Sequence, residues 1–342
     1  MDYIEALEKK SRILRKLEND IQELEKIKGN IRKEIFAEVF DDGEIGKLKK
    51  FLNEKKYKAI GIDSARGIKR YITANFYAYV CVSFKEELED YLKEADFDLI
   101  SFVEEEVEYA NRILEGLSMS AEILLAEREL ENVDFIFMDG SVSTFIIKIN
   151  SGITAAVNSN GTLSTKLKQF YEKIIDAFIK LLSSKKVIFV PKSTQKDDLR
   201  KFILNKISHY LRKKIEDRIS SISDIKLAQI VLEPLEYLKV YAESHPYNLH
   251  NPYKEGTEEY ENFKKKINNL FKLANDAEVF YFKGISGYAF RLESFVNNIP
   301  MDLIAQYTFG KNFYLTAEAD RLAKDYVKTL LEEEFPIEEE IR

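Results

Sequence analysis

The chain has 342 residues, with 52 Lys or Arg against 59 Asp or Glu, a formal net charge of −7. That balance excludes a protein coated in basic residues for nonspecific nucleic-acid binding but allows a local basic groove. The single cysteine, Cys81, excludes an internal disulfide and a paired-cysteine zinc site, and its apolar setting predicts a core residue. No apolar run is long enough to span a membrane, so a soluble, cytoplasmic protein is expected.

Residues 3–37 predict a long helix, because Leu14, Leu17, Ile21, Leu24, Ile31 and Ile35 follow three-four spacing. Such an arm either packs on its own domain or pairs with a second copy. A second helix is expected over Ile45–Lys56, completing an N-terminal helical arm over 1–56. Ala59–Ile62 predicts a strand ending in Asp63, followed by a turn at Ser64–Gly67 and a long aromatic and β-branched strand, or two, over Tyr71–Phe84. A polar segment comes next, then a helix within Glu104–Leu130 interrupted by Gly116, then a strand Val133–Met138 that feeds Asp139 and Gly140.

Leu163–Leu182 is an amphipathic helix, Val187–Val190 a short buried strand stopped by Pro191, and Asp197–Ile219 helical and basic. Residues 233–256, with three of the six prolines, predict an irregular loop or insertion. A helix over Glu258–Asn275, strands over Val279–Phe282 and Tyr288–Phe295 and a last helix over Thr316–Leu331 follow. Alternating strands and helices with an early β-rich ribbon imply an α/β fold, a mixed sheet flanked by helices. The expected division is the arm 1–56, an α/β domain over 57–331 with a helical insertion around 195–275, and an acidic tail over 332–342.

Four acidic residues stand out by position. Asp63 and Asp139 end apolar strands, where open α/β sheets place their sites. Glu122 lies on the helix that leads into the Asp139 strand, with Glu127 and Glu129 as competitors on that helix. Asp320 sits in the first turns of the last helix. Converging carboxylates suit Mg²⁺ or Mn²⁺, and a pair of such ions suits phosphodiester hydrolysis by metal-bound water. Against this stands the plain reading of Asp-Gly as a turn former and of helix glutamates as solvated.

The segment Lys192–Arg218 carries nine basic residues against Asp197, Asp198, Glu216 and Asp217, locally +5 in an acidic protein. It would attract a phosphate backbone, or it is a charged surface helix. His209, His245 and His250 are dispersed, and no phosphate-binding loop, dinucleotide motif or nucleophile elbow occurs.

The order of these segments resembles the NurA nuclease family from about residue 58 to 330. Gly-Ile-Asp63-Ser is similar to the family's first motif. Glu122-Ile-Leu-Leu-Ala and Phe-Ile-Phe-Met-Asp139-Gly-Ser resemble its Glu-bearing helix and its Asp-ending strand. Val-Ile-Phe-Val-Pro-Lys192-Ser, Phe290-Arg291-Leu-Glu293 and Gly310–Ala323 resemble the later motifs. The last departs from the family pattern, with Asp320 where the family has His and Phe313-Tyr314 where it has Pro. A carboxylate there still ligates Mg²⁺ or Mn²⁺.

The resemblance implies a ribonuclease-H-like fold, a homodimer, and Mn²⁺-dependent (or Mg²⁺-dependent) cleavage of DNA in end resection with a HerA-type hexameric translocase. It also implies Asp63, Glu122, Asp139 and Asp320 as metal ligands and catalytic residues, and Lys192 and Arg291 as DNA contacts. The alternatives carried forward are a degenerate member that binds DNA or the translocase without cutting, and cleavage of RNA.

Overall fold

The structure is a computed structural model that describes residues 45–48, 57–70, 74–85, 92–101, 107–192, 196–220, 222–242, 244–308 and 310–332, with Gly29. The helix expected over 3–37 (Gly29, itself helical, apart), most of that over 45–56 and nearly all of the acidic tail lie outside these residues.

Among the described residues nine strands form one sheet: β1 (Ile45–Lys47), β2 (Ala59–Arg70), β3 (Ala74–Lys85), β4 (Leu92–Ser101), β5 (Phe135–Asp139), β6 (Val187–Val190), β7 (Glu236–Val240), β8 (Glu278–Lys283) and β9 (Ala289–Ser294). Their order is β1-β7-β8-β9-β6-β5-β2-β3-β4. The central trio β2, β5 and β6 is parallel, and every other pairing is antiparallel. This mixed α/β sheet is compatible with the ribonuclease-H-like arrangement expected. The parallel strands β5 and β6 read as near-continuous apolar runs because both of their faces are covered.

One face carries α1 (Val107–Glu129), α2 (Val142–Val157) and α3 (Thr162–Ser183). Ile113, Phe145 and Phe178 close on Ile60, Ile62, Ile136 and Met138 there. The helix α7 (Glu258–Asn275) packs on this layer through Phe263 and Ile267. The other face carries α8 (Met301–Gln306) and α9 (Tyr314–Glu332), which bury Phe137 and Ile188 with Ile304 and Leu315. Farther along, α9 packs on Ala65, Val80 and Val82. A separate cluster forms where α4 (Asp198–Lys206), α5 (His209–Ser220) and α6 (Asp224–Val231) lie on β7, β8 and β9.

Several expectations change. Residues 45–47 are a strand, not the start of a helix: Gly46 lies where a Cβ would meet the Tyr237 ring of β7 at 2.0 Å. The Ser64–Gly67 turn is absent, and β2 runs on to Arg70, paired with β3 from Ile60 to Arg70. Gly61 in this strand serves a close approach, since a Cβ there would stand 2.3 Å from the backbone carbonyl carbon of Leu315 in α9.

The polar segment before α1 contains the edge strand β4, whose charged sequence suits an edge. Gly116 does not interrupt α1; it lets α1 cross α2, its Cα close against Gly152. The helices α2, α6 and α8 and the strand β7 were not anticipated, and the basic segment is two helices rather than one.

A candidate metal centre at the strand ends

The parallel pairing of β2 with β5 stops at Ile62 and Met138, one residue before each aspartate. Both Asp63 and Asp139 therefore emerge at the same edge. Gly140, at φ +100°, turns the chain sharply out of β5, and Ser141 then caps α2 by accepting from the Thr144 N–H at 3.1 Å. The strand ends at its carboxylate because the next residues are built to start a helix. Lys192 follows β6, the next strand in the sheet.

The Lys192 ammonium gathers the cluster. Its Nζ lies 2.6 Å from Asp139 Oδ2, 3.6 Å from Asp63 Oδ2 and 3.8 Å from Asp320 Oδ2. Asp320 reaches this edge from the second turn of α9 and is also held by Lys324, one turn on, at 2.7 Å. Glu122 approaches from α1. Its side chain is fully buried and accepts from the Ser64 hydroxyl, which lies 2.6 Å from Ser118 Oγ. Asp63 Oδ1 accepts from the Ser64 N–H at 2.7 Å.

Three oxygens are left over. Asp63 Oδ2, Asp139 Oδ1 and Glu122 Oε2 are buried and have no hydrogen-bond partner among the described residues. Buried carboxylate oxygens are ordinarily satisfied, so three in one place need a reason. Burial, then the neighbouring Glu122 and Asp139, push the Asp63 carboxyl well above its usual range. Burial does the same to Glu122, against the Ser64 hydrogen bond. Burial pulls the Lys192 ammonium down, but Asp139, Asp63 and Asp320 together outweigh it and hold it above the ordinary lysine value.

The donor set fits a hard divalent cation: all oxygen, anionic, partly unpartnered. Among the described residues no three such side chains already stand together at ligand spacing. The Lys192 ammonium occupies the middle, within ion-pair distance of Asp63, Asp139 and Asp320.

Of the competing glutamates, Glu127 pairs with Lys180 and Glu129 with Asn132, both away from this edge. His245 and His250 join no such cluster. The excess charge of the basic segment is partly spent locally, as in Lys201 to Asp197 at 3.3 Å and Arg212 to Glu216 at 3.4 Å.

Arg291, expected to contact DNA, is a correction. Its side chain is 0% exposed, and its guanidinium is committed to Asp198 at 2.6 Å and to Glu293. The sheet position of β9, covered by α4 and α6, turns this residue inward. Glu293 in turn accepts from the Val142 N–H at 2.8 Å and meets Lys196 at 3.4 Å. Arg291 and Glu293 thus fasten the two segments that follow Asp139 and Lys192 to one strand, a role with no substrate contact.

Sequence reasoning missed Ser64, Ser118 and Glu293. A signal existed for the serines: Ser64 follows Asp63 directly, and Ser118 lies one helical turn before Glu122.

Two open spaces lie along these elements, the second of them lined by Lys192 itself. A groove of about 430 Å³ lies beyond Ser64, between β2 and α1, lined by Arg66, Arg112 and Glu115. Its charge is largely internal, since Glu115 takes both Arg66 at 2.6 Å and Lys148 at 2.8 Å. A cavity of about 170 Å³ lies on the other flank, beyond Lys192.

A model of the NurA domain matches residues 57–325. A comparison with curated proteins returned no match. Among solved structures, the NurA nuclease from Sulfolobus solfataricus is similar at TM-score 0.52 and 16% identity, covering 93% of this chain and 96% of that one. A structure of NurA with manganese is similar at TM-score 0.52 and 12% identity, covering 93% and 94%. One of NurA bound to dAMP and manganese is similar at TM-score 0.51 and 13% identity, covering 96% and 94%.

Proposed function

Because this chain belongs to the NurA family, we propose that it is a metal-dependent nuclease that hydrolyses phosphodiester bonds in DNA. The observation that carries this reading is the set of three buried carboxylate oxygens on Asp63, Glu122 and Asp139 that lack a hydrogen-bond partner among the described residues, gathered near one ammonium. Solved NurA structures with manganese, and with dAMP and manganese, support both the ion and the substrate class.

Asp63, Glu122, Asp139 and Asp320 would hold Mn²⁺ or Mg²⁺. When bound, the ion supplies an activated water and neutralises charge on the phosphodiester. The chain's own groups prepare that site. Ser64 and Ser118 fix the rotamer of Glu122, and Gly140 and the α2 cap fix Asp139. Lys192 balances the carboxylates while no other cation is present. Half exposed on a flexible stem, it can then swing to the substrate phosphate. Asp320 stands in the histidine position of the family and keeps the donor set all oxygen.

The test is cleavage of single- and double-stranded DNA and of RNA with Mn²⁺, comparing Asp63→Ala and Asp139→Ala. Cleavage by wild type that both variants lose supports the reading, and unchanged cleavage in both overturns it. A protein that binds DNA but takes up no Mn²⁺ in a titration is instead the degenerate binder.

The finer reading is 5′-to-3′ exonuclease and single-strand endonuclease action by a cytoplasmic homodimer, with a HerA-type hexameric translocase in end resection. The family likeness alone supports it. Light scattering of the purified chain and co-purification with that translocase test the assembly.

A further inference from the structure

The cavity beyond Lys192 is not used by the metal centre. It lies between the end of β6, the start of β9, α6 and the loop that leads into α9. Its floor is aromatic: Phe290 and Phe313 meet edge to face at 6.3 Å. Its wall includes Tyr288, a large aromatic left 43% exposed. Two ammonium groups, Lys192 and Lys311, and two side-chain amides, Gln229 and Asn312, complete it.

The rim is built in advance. The Gly310 N–H donates to Ser286 Oγ at 3.1 Å, stitching the β8–β9 turn to the loop before α9. Lys192 belongs to both spaces, since the same ammonium that reaches Asp139 also lines the cavity.

This combination is selective. An exposed aromatic face at a cationic groove offers stacking to a base of any sequence. Paired amides can serve a base edge, and ammonium groups a phosphate. A volume of about 170 Å³ is below the usual range for a whole ligand of drug size, so it suits a single base, with sugar and phosphate left at the mouth, rather than a base pair. Sharing Lys192 places any phosphate held there next to the carboxylates.

We propose that this cavity takes the base of one unpaired nucleotide of the substrate strand, a nucleotide adjacent to the phosphate that is cut. Its base lies against Tyr288 and its phosphate between Lys192 and Lys311. The inference rests on the nuclease reading and adds where the strand sits and that it must be unpaired at this point. A duplex then has to fray by one position to be cut.

The experiment is a binding cycle. A labelled single-stranded oligodeoxynucleotide is titrated by fluorescence anisotropy with Ca²⁺, under conditions where no cleavage product accumulates, using wild type, Tyr288→Ala, Tyr288→Trp and Lys311→Ala. A parallel set of oligonucleotides carries a single abasic position moved along the strand.

Wild type loses about tenfold in affinity when one particular position is abasic, the size expected for one stacked base. Tyr288→Ala loses the same factor on the intact strand and is indifferent to that abasic position, while Tyr288→Trp restores discrimination. Lys311→Ala weakens intact and abasic strands alike and lowers the salt dependence. Equal affinity of wild type and Tyr288→Ala for the intact strand, or an abasic scan with no sensitive position, overturns the proposal. Both side chains are exposed, so neither substitution threatens folding, and thermal melts verify this. The coupling present in a protein that cuts no DNA keeps the cavity and removes the nuclease reading. Mn²⁺-dependent cleavage without the coupling does the reverse.

Discussion

Two buried charged clusters lie close together at one edge of this sheet, and they are composed differently. Around Arg291 the charges balance: Asp198 and Glu293 take the guanidinium, and Glu293 also takes Lys196 and the Val142 N–H. Its one unpartnered atom is Arg291 Nε. Around Lys192 three carboxylates share one ammonium with Glu122 beside them, and three of the oxygens have no hydrogen-bond partner among the described residues.

The titration directions separate the two in the same way. Burial pushes Glu293 up, but Arg291 and Lys196 outweigh it and hold it below the ordinary carboxylate value. Asp63 and Glu122 are pushed well above theirs. A satisfied cluster fixes geometry; one with surplus lone pairs keeps capacity for a cation. Composition does not distinguish them, but the count of unmet oxygens does.

The contrast breaks most visibly on removal of a surplus carboxylate. Asp139→Ala lowers Mn²⁺-dependent DNA cleavage by about 10³-fold or more, since even one lost preorganised contact at a reacting centre costs about 10²–10³. The folded protein remains as stable as wild type in urea. The balanced cluster responds in the opposite way. Arg291→Met strands two buried carboxylates and costs about 3–5 kcal/mol in the same denaturation. If Arg291→Met leaves stability untouched, the structural role assigned to that cluster is wrong.

Lys192→Met removes the resident counter-charge. Mn²⁺ affinity, read by titration calorimetry, rises several-fold while cleavage falls by about 10–100-fold, the size typical of a supporting group at a metal site. An affinity that falls instead means the ammonium does not compete with the ion.

The pH profile sharpens the comparison further. Asp63 and Glu122 have raised folded values, so their contribution is complete below their ordinary values of 3.8 and 4.5 and is lost as pH rises through the folded ones. Glu293 has a lowered folded value, so its contribution holds above 4.5 and is lost as pH falls through the folded one. The metal-free protein therefore loses stability from the mildly acidic range upward. Mn²⁺, which binds the deprotonated groups, flattens that slope, and an Asp63→Asn, Glu122→Gln double variant removes it. Urea midpoints measured across pH with and without Mn²⁺ check this. The smallest effect belongs to the surface: Lys324→Ala, which loses an exposed pair with Asp320, shifts stability by less than about 1 kcal/mol.

The site was legible where physics acts locally. Asp63 and Asp139 announced themselves because apolar runs of sequence stop at them, although β2 itself continues past Asp63 to Arg70, and the resemblance singled out Glu122 among three helix glutamates. Arg291 was misread because its partners depend on tertiary structure: Asp198 is 93 positions away. The fold divides similarly. The core strands were readable, whereas β4 was hidden by its charges. The helix α2 was hidden by its high apolar content, which leaves only a narrow polar stripe at Thr144, Lys148, Ser151 and Thr154 to mark its period. The β2 continuation through Gly67 was read as a turn because glycine near serine suggests one.

Gly61 has one more consequence. With only hydrogen at that position, α9 can rest its backbone directly on β2, so the spacing between the strand bearing Asp63 and the helix bearing Asp320 is set by contact. A single methyl group there would act as a shim, prying the helix off the strand and widening the jaw in which a cation has to be gripped. The grip on the proposed ion is thus calibrated two residues away from Asp63, by an atom that is not there.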